Sequence, residues 1–206
     1  MCGFIGIVYN QSIDVNEKDK DLLVEQNNII THRGPDDEGY YIDENVSFGF
    51  RRLSIIDVKS GKQPLSYNDE KIWLVFNGEI YNYVELREQL LNEGYTFSTD
   101  SDTEVIAAMF MKHKEQAFQY LRGMFSILIW DKEEKTFYGA RDPFGIKPLF
   151  YYEFEDGIAF SSEKKSLTLM LEKEEVHPEA LQHYLSFQYV PEPFTLTKGI
   201  KKAEPG

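Results

Sequence analysis

The chain has 206 residues, one cysteine and a formal net charge of −13, with 42% hydrophobic and 15% aromatic residues. That acidity argues against a nucleic-acid partner, which needs a basic surface, and against a polybasic membrane anchor. A single cysteine forbids an intrachain disulfide, no apolar run approaches a membrane span, and residues 1–30 carry acidic side chains where a signal peptide would be apolar. A soluble cytoplasmic protein is therefore expected. His32, His113, His177 and His183 show no metal-ligand spacing, so no metal site is expected.

The chain opens on Met1-Cys2-Gly3-Phe4-Ile5-Gly6-Ile7-Val8-Tyr9, whose small and apolar residues predict a buried strand. A helix is expected from Asn16-Glu17-Lys18 onward, with Leu22, Leu23, Ile29 and Ile30 on one stripe. His32-Arg33-Gly34-Pro35-Asp36 reads as a loop, followed by strands near 40–42 and 46–53. The apolar run at 72–76 predicts a strand buried on both faces and broken by Asn77-Gly78-Glu79. Asn82 is placed to cap a helix that Gly94 stops, and Ser101-Asp102-Thr103-Glu104 has the spacing of a capping box. Hairpins are expected over 124–140 and 149–161, then amphipathic segments near 163–171 and 179–184. Residues 1–190 are read as one domain and 191–206 as linker. Hairpin-connected strands with helices between them indicate an α+β fold of antiparallel sheet with helices packed outside.

Cys2 is a small hydrophobe in most settings, but here it follows the initiator methionine. Removal of Met1 leaves a thiol and an α-amine on one residue, so nucleophile and base coincide. Three further stretches carry chemistry. Arg52, after a strand, has the planar guanidinium suited to a carboxylate, or is a rim cation with Ile55 and Ile56 in the core. Asn77-Gly78 is either a tight turn or an amide and an approachable N–H for an oxyanion. Asp102 sits in a first helical turn, where a carboxylate suits the dipole but could also bind an ammonium. Together with Glu79 these groups fit an α-amino acid bearing a side-chain carbonyl, without choosing among glutamine, asparagine or a peptide end.

The blocks Met1-Cys2-Gly3, His32-Arg33-Gly34-Pro35-Asp36, Arg52-Leu53-Ser54-Ile55-Ile56-Asp57, Asn77-Gly78-Glu79-Ile80-Tyr81-Asn82, Ser101-Asp102-Thr103-Glu104 and Ala140-Arg141-Asp142-Pro143-Phe144-Gly145 occur in this order along the chain. In this respect the sequence resembles the glutaminase domain of glutamine-dependent asparagine synthetases, class II amidotransferases of the N-terminal-nucleophile hydrolase group. Phosphoribosyl amidotransferases and glucosamine-phosphate synthases share Cys2 and forms of the Asn-Gly and Ser-Asp blocks. The Arg-Gly-Pro-Asp and Arg-Leu-Ser-Ile-Ile-Asp blocks look more like the asparagine synthetase branch.

The resemblance implies a four-layer αββα sandwich. It implies attack by Cys2 on the glutamine amide, an oxyanion held by Asn77 and Gly78, and a thioester that water hydrolyses. It implies that Arg52 pairs with the substrate α-carboxylate, that Glu79 and Asp102 pair with the α-ammonium, and that backbone groups of Leu53, Ser54, Ile55 and Ile56 line the pocket. No cofactor is implied for these residues. The family's second domain, which uses ATP and magnesium, is absent from them, so this chain is expected to yield glutamate and ammonia but not asparagine. Glutamine and a C-terminal synthetase domain are the expected partners, and a homodimer is left open. Two other readings stand beside this one: an ammonia donor to a different acceptor, and a non-catalytic glutamine-binding regulatory module.

Overall fold

Short apolar strands joined by tight turns fold into two antiparallel sheets that face each other, with helices on the outer faces. The computed structural model describes residues 2–54 and 61–206. In chain order the elements are β1 (Gly3–Tyr9), α1 (Glu17–Asn28), β2 (Asp37–Ile42), β3 (Val46–Arg52), β4 (Leu65–Tyr67), β5 (Ile72–Ile80), α2 (Tyr83–Asn92), α3 (Asp102–His113), β6 (Gly123–Asp131), β7 (Thr136–Arg141), β8 (Phe150–Phe154), β9 (Gly157–Ser161), α4 (Lys164–Thr168), α5 (Pro178–Phe187) and β10 (Ile200–Lys202). One sheet has the order β10-β8-β9-β1-β3-β2, the other β4-β5-β6-β7.

The two-residue period of a strand sorts side chains between the layers. Phe4, Val46, Phe48 and Phe50 of the larger sheet meet Val75, Leu128 and Trp130 of the smaller one. On the other face of the larger sheet, Ile5, Ile7 and Ala159 pack with Leu23 of α1 and Leu167 of α4. Leu74, Phe76, Ile127 and Ile129 of the smaller sheet pack with Leu86 and Leu90 of α2 and with Val105, Ile106 and Phe110 of α3. This is the αββα arrangement. Each such Leu, Ile or Phe, fully buried, contributes about 1.5–3 kcal/mol of transfer free energy.

The structure departs from the sequence-based expectations at several elements. Asn77-Gly78-Glu79 does not break its strand: β5 runs through to Ile80, with Asn77 opposite Ser126 and Ile80 opposite Gly123 on β6. Tertiary pairing overrides the Asn-Gly turn signal. α1 ends at Asn28, so Ile29 is exposed, and buried Gln26 and Asn27 instead donate to the carbonyls of Ser166 and Phe50. Asn82 stands at the start of α2 without capping it; its side chain bonds Tyr120 and Arg122 instead. Ser101 caps α3 through the Thr103 N–H, but Glu104 accepts from Ser98 and Thr99, so the box is not closed. The closed capping box belongs to α1, between Asn16 and Asp19. The stretch 191–206, expected as linker, contains β10, which pairs with β8. No helix among the described residues is long and apolar enough to cross a membrane.

Candidate active site

The strand ends converge on one pocket of about 150 Å³. Cys2 enters it from the start of β1, Arg52 and Leu53 from the end of β3, and Asn77, Gly78 and Glu79 from the second half of β5. Asp102 comes from the first turn of α3, Met124 from β6, and Lys147 from the loop after β7. Of the residues singled out in the sequence, these seven (Cys2, Arg52, Leu53, Asn77, Gly78, Glu79 and Asp102) share its wall. Ser54 stands beside it, its N–H donating to Asp36 Oδ2 at 2.8 Å, so the His-Arg-Gly-Pro-Asp loop tethers the segment carrying Arg52 and Leu53. Ile55, Ile56 and Met1 lie outside the described residues.

The thiol of Cys2 is framed by one residue. Leu53 N–H donates to Sγ at 3.4 Å, and the thiol lies 3.5 Å from the Leu53 carbonyl oxygen. Burial pushes the thiol pKa up, while the Leu53 N–H and the nearby Arg52 guanidinium favour the thiolate. Asn77 is buried, and its Nδ2 has no hydrogen-bond partner among the described residues. An unsatisfied buried amide costs roughly 1–3 kcal/mol, so a donor left unpaired on a residue that lines the pocket is one available for an incoming oxygen. Gly78 follows it. A Cβ at Gly78 would lie 2.1 Å from the Met124 carbonyl oxygen, so glycine is required here by close packing on β6 as much as by any ligand.

The opposite wall is acidic. Asp102 accepts from the Ile80 N–H at 3.1 Å, and burial, helped by neighbouring Glu79, pushes its pKa up to about 6. Burial therefore outweighs the stabilisation that a helix start and backbone N–H groups give its charge. Glu79 is also raised by burial, with Lys147 opposing. Lys147 is itself buried, which lowers its pKa, and its electrostatic neighbours include Glu79, Arg33, Cys2 and Asp142. Two carboxylates, a guanidinium, an unpaired amide and a thiol in one small pocket can hold an α-amino acid at both its charged ends and attack a carbonyl further along it.

A family model described as "Glutamine amidotransferase domain" matches residues 1–206. This chain belongs to that family. It is 56% identical over 206 residues to asparagine synthetase (glutamine-hydrolyzing) 1 of Bacillus subtilis (strain 168), covering all of this chain and 33% of that protein. It is 40% identical over 223 aligned residues to a putative asparagine synthetase (glutamine-hydrolyzing) of Mycobacterium bovis, covering all of this chain and 34% of that protein. The chain thus spans about a third of the length of these curated relatives. Among solved structures, it is similar to the glutamine phosphoribosylpyrophosphate amidotransferase from B. subtilis complexed with ADP and GMP. The TM-score is 0.68 at 22% identity, over 86% of this chain and 46% of that one, a likeness of fold.

Three polar residues of the pocket escape the sequence reading. Lys147 sits in a Gly-Ile-Lys-Pro stretch whose turn character hides an ammonium turned inward. Its backbone is clamped, with its N–H donating to Asp142 Oδ2 at 3.0 Å and its carbonyl accepting from Arg141 Nε at 2.8 Å. Gln63, in a loop without periodicity, accepts from the Phe76 N–H at 2.6 Å and donates to Thr103 Oγ1 at 3.3 Å, joining β5 to α3 across the pocket. Thr103 has no sequence signal beyond its place in the Ser-Asp-Thr-Glu block.

Proposed function

We propose that this domain hydrolyses the side-chain amide of glutamine to glutamate and ammonia through a thioester on Cys2. The observation that carries the reading is the buried Asn77 Nδ2, unpaired among the described residues, on a side chain that shares a pocket with the chain's one thiol. The α-amine of Cys2, freed by removal of Met1, takes the thiol proton, and the thiolate attacks the amide carbon. Asn77 Nδ2 and the Gly78 N–H then stabilise the tetrahedral oxyanion as it forms. The proton returns to the leaving nitrogen, ammonia departs, and water attacks the thioester to release glutamate and regenerate the thiol. Arg52 holds the α-carboxylate, Asp102 and Glu79 hold the α-ammonium, and Lys147 supplies a counter-charge between Glu79 and Cys2. Leu53 and Ser54 supply backbone to the pocket wall, a part the family resemblance extends to Ile55 and Ile56.

In a longer protein of the kind its relatives represent, the ammonia passes to a synthetase domain that makes asparagine with ATP and magnesium. Relatives with asparagine synthetase names that run three times as long support this. A lone cysteine is in keeping with the reducing cytoplasm.

Glutamate release from glutamine by the parent protein and by Cys2→Ala tests the reading. Activity in the parent alone supports it, and equal release by both contradicts it. Arg52→Ala should raise KM by roughly 10- to 100-fold, the loss of a charge-assisted pair, with a smaller change in kcat. Steady-state kinetics check this, and a fall in kcat at constant KM would reassign Arg52 from substrate binding to the chemical step.

A further inference from the structure

On the functional reading above, removal of Met1 makes Cys2 the first residue, where chains fray unless tied down. Once Met1 is removed, the residue keeps one peptide plane, that of its own carbonyl. Three contacts grip the chain at this point. Arg33 Nε donates to the Cys2 carbonyl at 2.9 Å. The Ser162 N–H donates to the Phe4 carbonyl at 3.0 Å, and the Phe4 N–H donates to Ser162 Oγ at 3.2 Å. Gly3 clears the way for the first contact, since a Cβ there would lie 2.9 Å from Arg33 Cδ.

Arg33 is in turn held by the residue after Ser162. Its Nη1 donates to Glu163 Oε1 at 3.2 Å, with the arginine side chain only 12% exposed. The same Glu163 oxygen lies 2.7 Å from His32 Nε2, and Lys165 Nζ lies 3.4 Å from Oε2. Glu163 is thus fixed by three basic side chains, and its backbone N–H is tied to Ser161 Oγ at 3.1 Å. The segment leaving β9 holds β1 directly through Ser162 and indirectly through Glu163 and Arg33.

We propose that Glu163 is a positioning residue for the nucleophile: by fixing the Arg33 guanidinium, it fixes the Cys2 carbonyl and hence the directions of that residue's α-amine and thiol. All three groups branch from one Cα, so a carbonyl held by Arg33 together with a thiol held against Leu53 fixes the rotation about Cα–C and leaves the amine a defined direction. The proposal rests on the reading that Cys2 uses its own amine as base.

Glu163→Gln keeps the size of the side chain and removes its charge. The expected result is a kcat lower by about 10- to 100-fold, the usual cost of a slightly misplaced reacting group, with KM and Tm little changed. Arg33→Met should lose at least as much, and the double variant should be no slower than Arg33→Met, because Glu163 acts through Arg33. A kcat in Glu163→Gln equal to that of the parent overturns the proposal, as do losses that multiply in the double variant. If Glu163→Gln is too unstable to assay, Arg33→Lys takes its place. It keeps a cation beside Glu163, cannot reach both partners, and should show the same kcat-selective loss; parent-like kcat there overturns the proposal. Alkylation of Cys2 by iodoacetamide separates this proposal from the functional reading, because it needs no glutamine. Several-fold slower alkylation in the variant supports the clamp even in a parent that releases no glutamate, and equal rates overturn it.

Discussion

Asn77→Ala should lower kcat for glutamine hydrolysis by roughly 10²- to 10³-fold, the range found when one oxyanion donor is removed, with KM altered far less. The side chain is buried at the pocket wall with its Nδ2 unpaired among the described residues, so truncation removes none of their hydrogen bonds from that nitrogen. The melting temperature should therefore move little, and a folded protein with a missing transition-state contact is the expected product. Single-turnover glutamate release measures the chemical step directly. An unchanged kcat would show that the oxyanion is held elsewhere.

Asp102→Asn should separate binding from stability in opposite directions. The folded-state pKa of about 6 lies above the ordinary carboxylate value, so the folded protein holds a proton at pH 5 that the unfolded chain has lost. The stability linked to that proton is complete below the unfolded pKa and lost as pH rises through about 6. At pH 7 the charged, desolvated Asp102 costs on the order of 3 kcal/mol, from a shift of about two units at 1.36 kcal/mol each. Asparagine can still accept from the Ile80 N–H through its Oδ1, so Tm at pH 7 should rise by several degrees, and the gain should vanish near pH 4. Glutamine binding should weaken roughly 10- to 100-fold with loss of the carboxylate proposed to hold the α-ammonium. In the parent, KM should climb as pH falls through about 6 and Asp102 takes up its proton. A lower Tm with unchanged KM would assign Asp102 to the helix start alone.

The sequence discloses the layers well and the pocket wall unevenly, for identifiable reasons. β1, β3 and the hairpins β6–β7 and β8–β9 follow from apolar runs bounded by turn residues, because each pairs with a near neighbour or is buried by its own pattern. β4 and β10 are three residues long, too short to show a period, and exist because an adjacent strand offers an edge. Asn77-Gly78 reads as a turn from composition, yet in the fold it is strand whose two residues are spoken for by the pocket and by β6. The charged groups of the pocket were visible where a block of sequence advertised them. Lys147, Gln63 and Glu163 were not, because their meaning depends on which loops the sheets bring to the start of β1. Nothing local in Ser161-Ser162-Glu163 shows that it faces residues 130 positions earlier, as Arg33 and Glu163 do.

In the proposed mechanism Cys2 supplies both thiol and base, which requires its nitrogen to be a free amine. With Met1 attached that nitrogen is an amide, its lone pair delocalised into the peptide bond and unable to take the thiol proton. Intact mass recorded alongside glutamate release, before and after methionine aminopeptidase treatment, tests this directly. Glutaminase activity should appear in step with the loss of Met1 and should be absent from Cys2→Ala at every stage. Full turnover by protein whose mass shows Met1 retained would contradict the account.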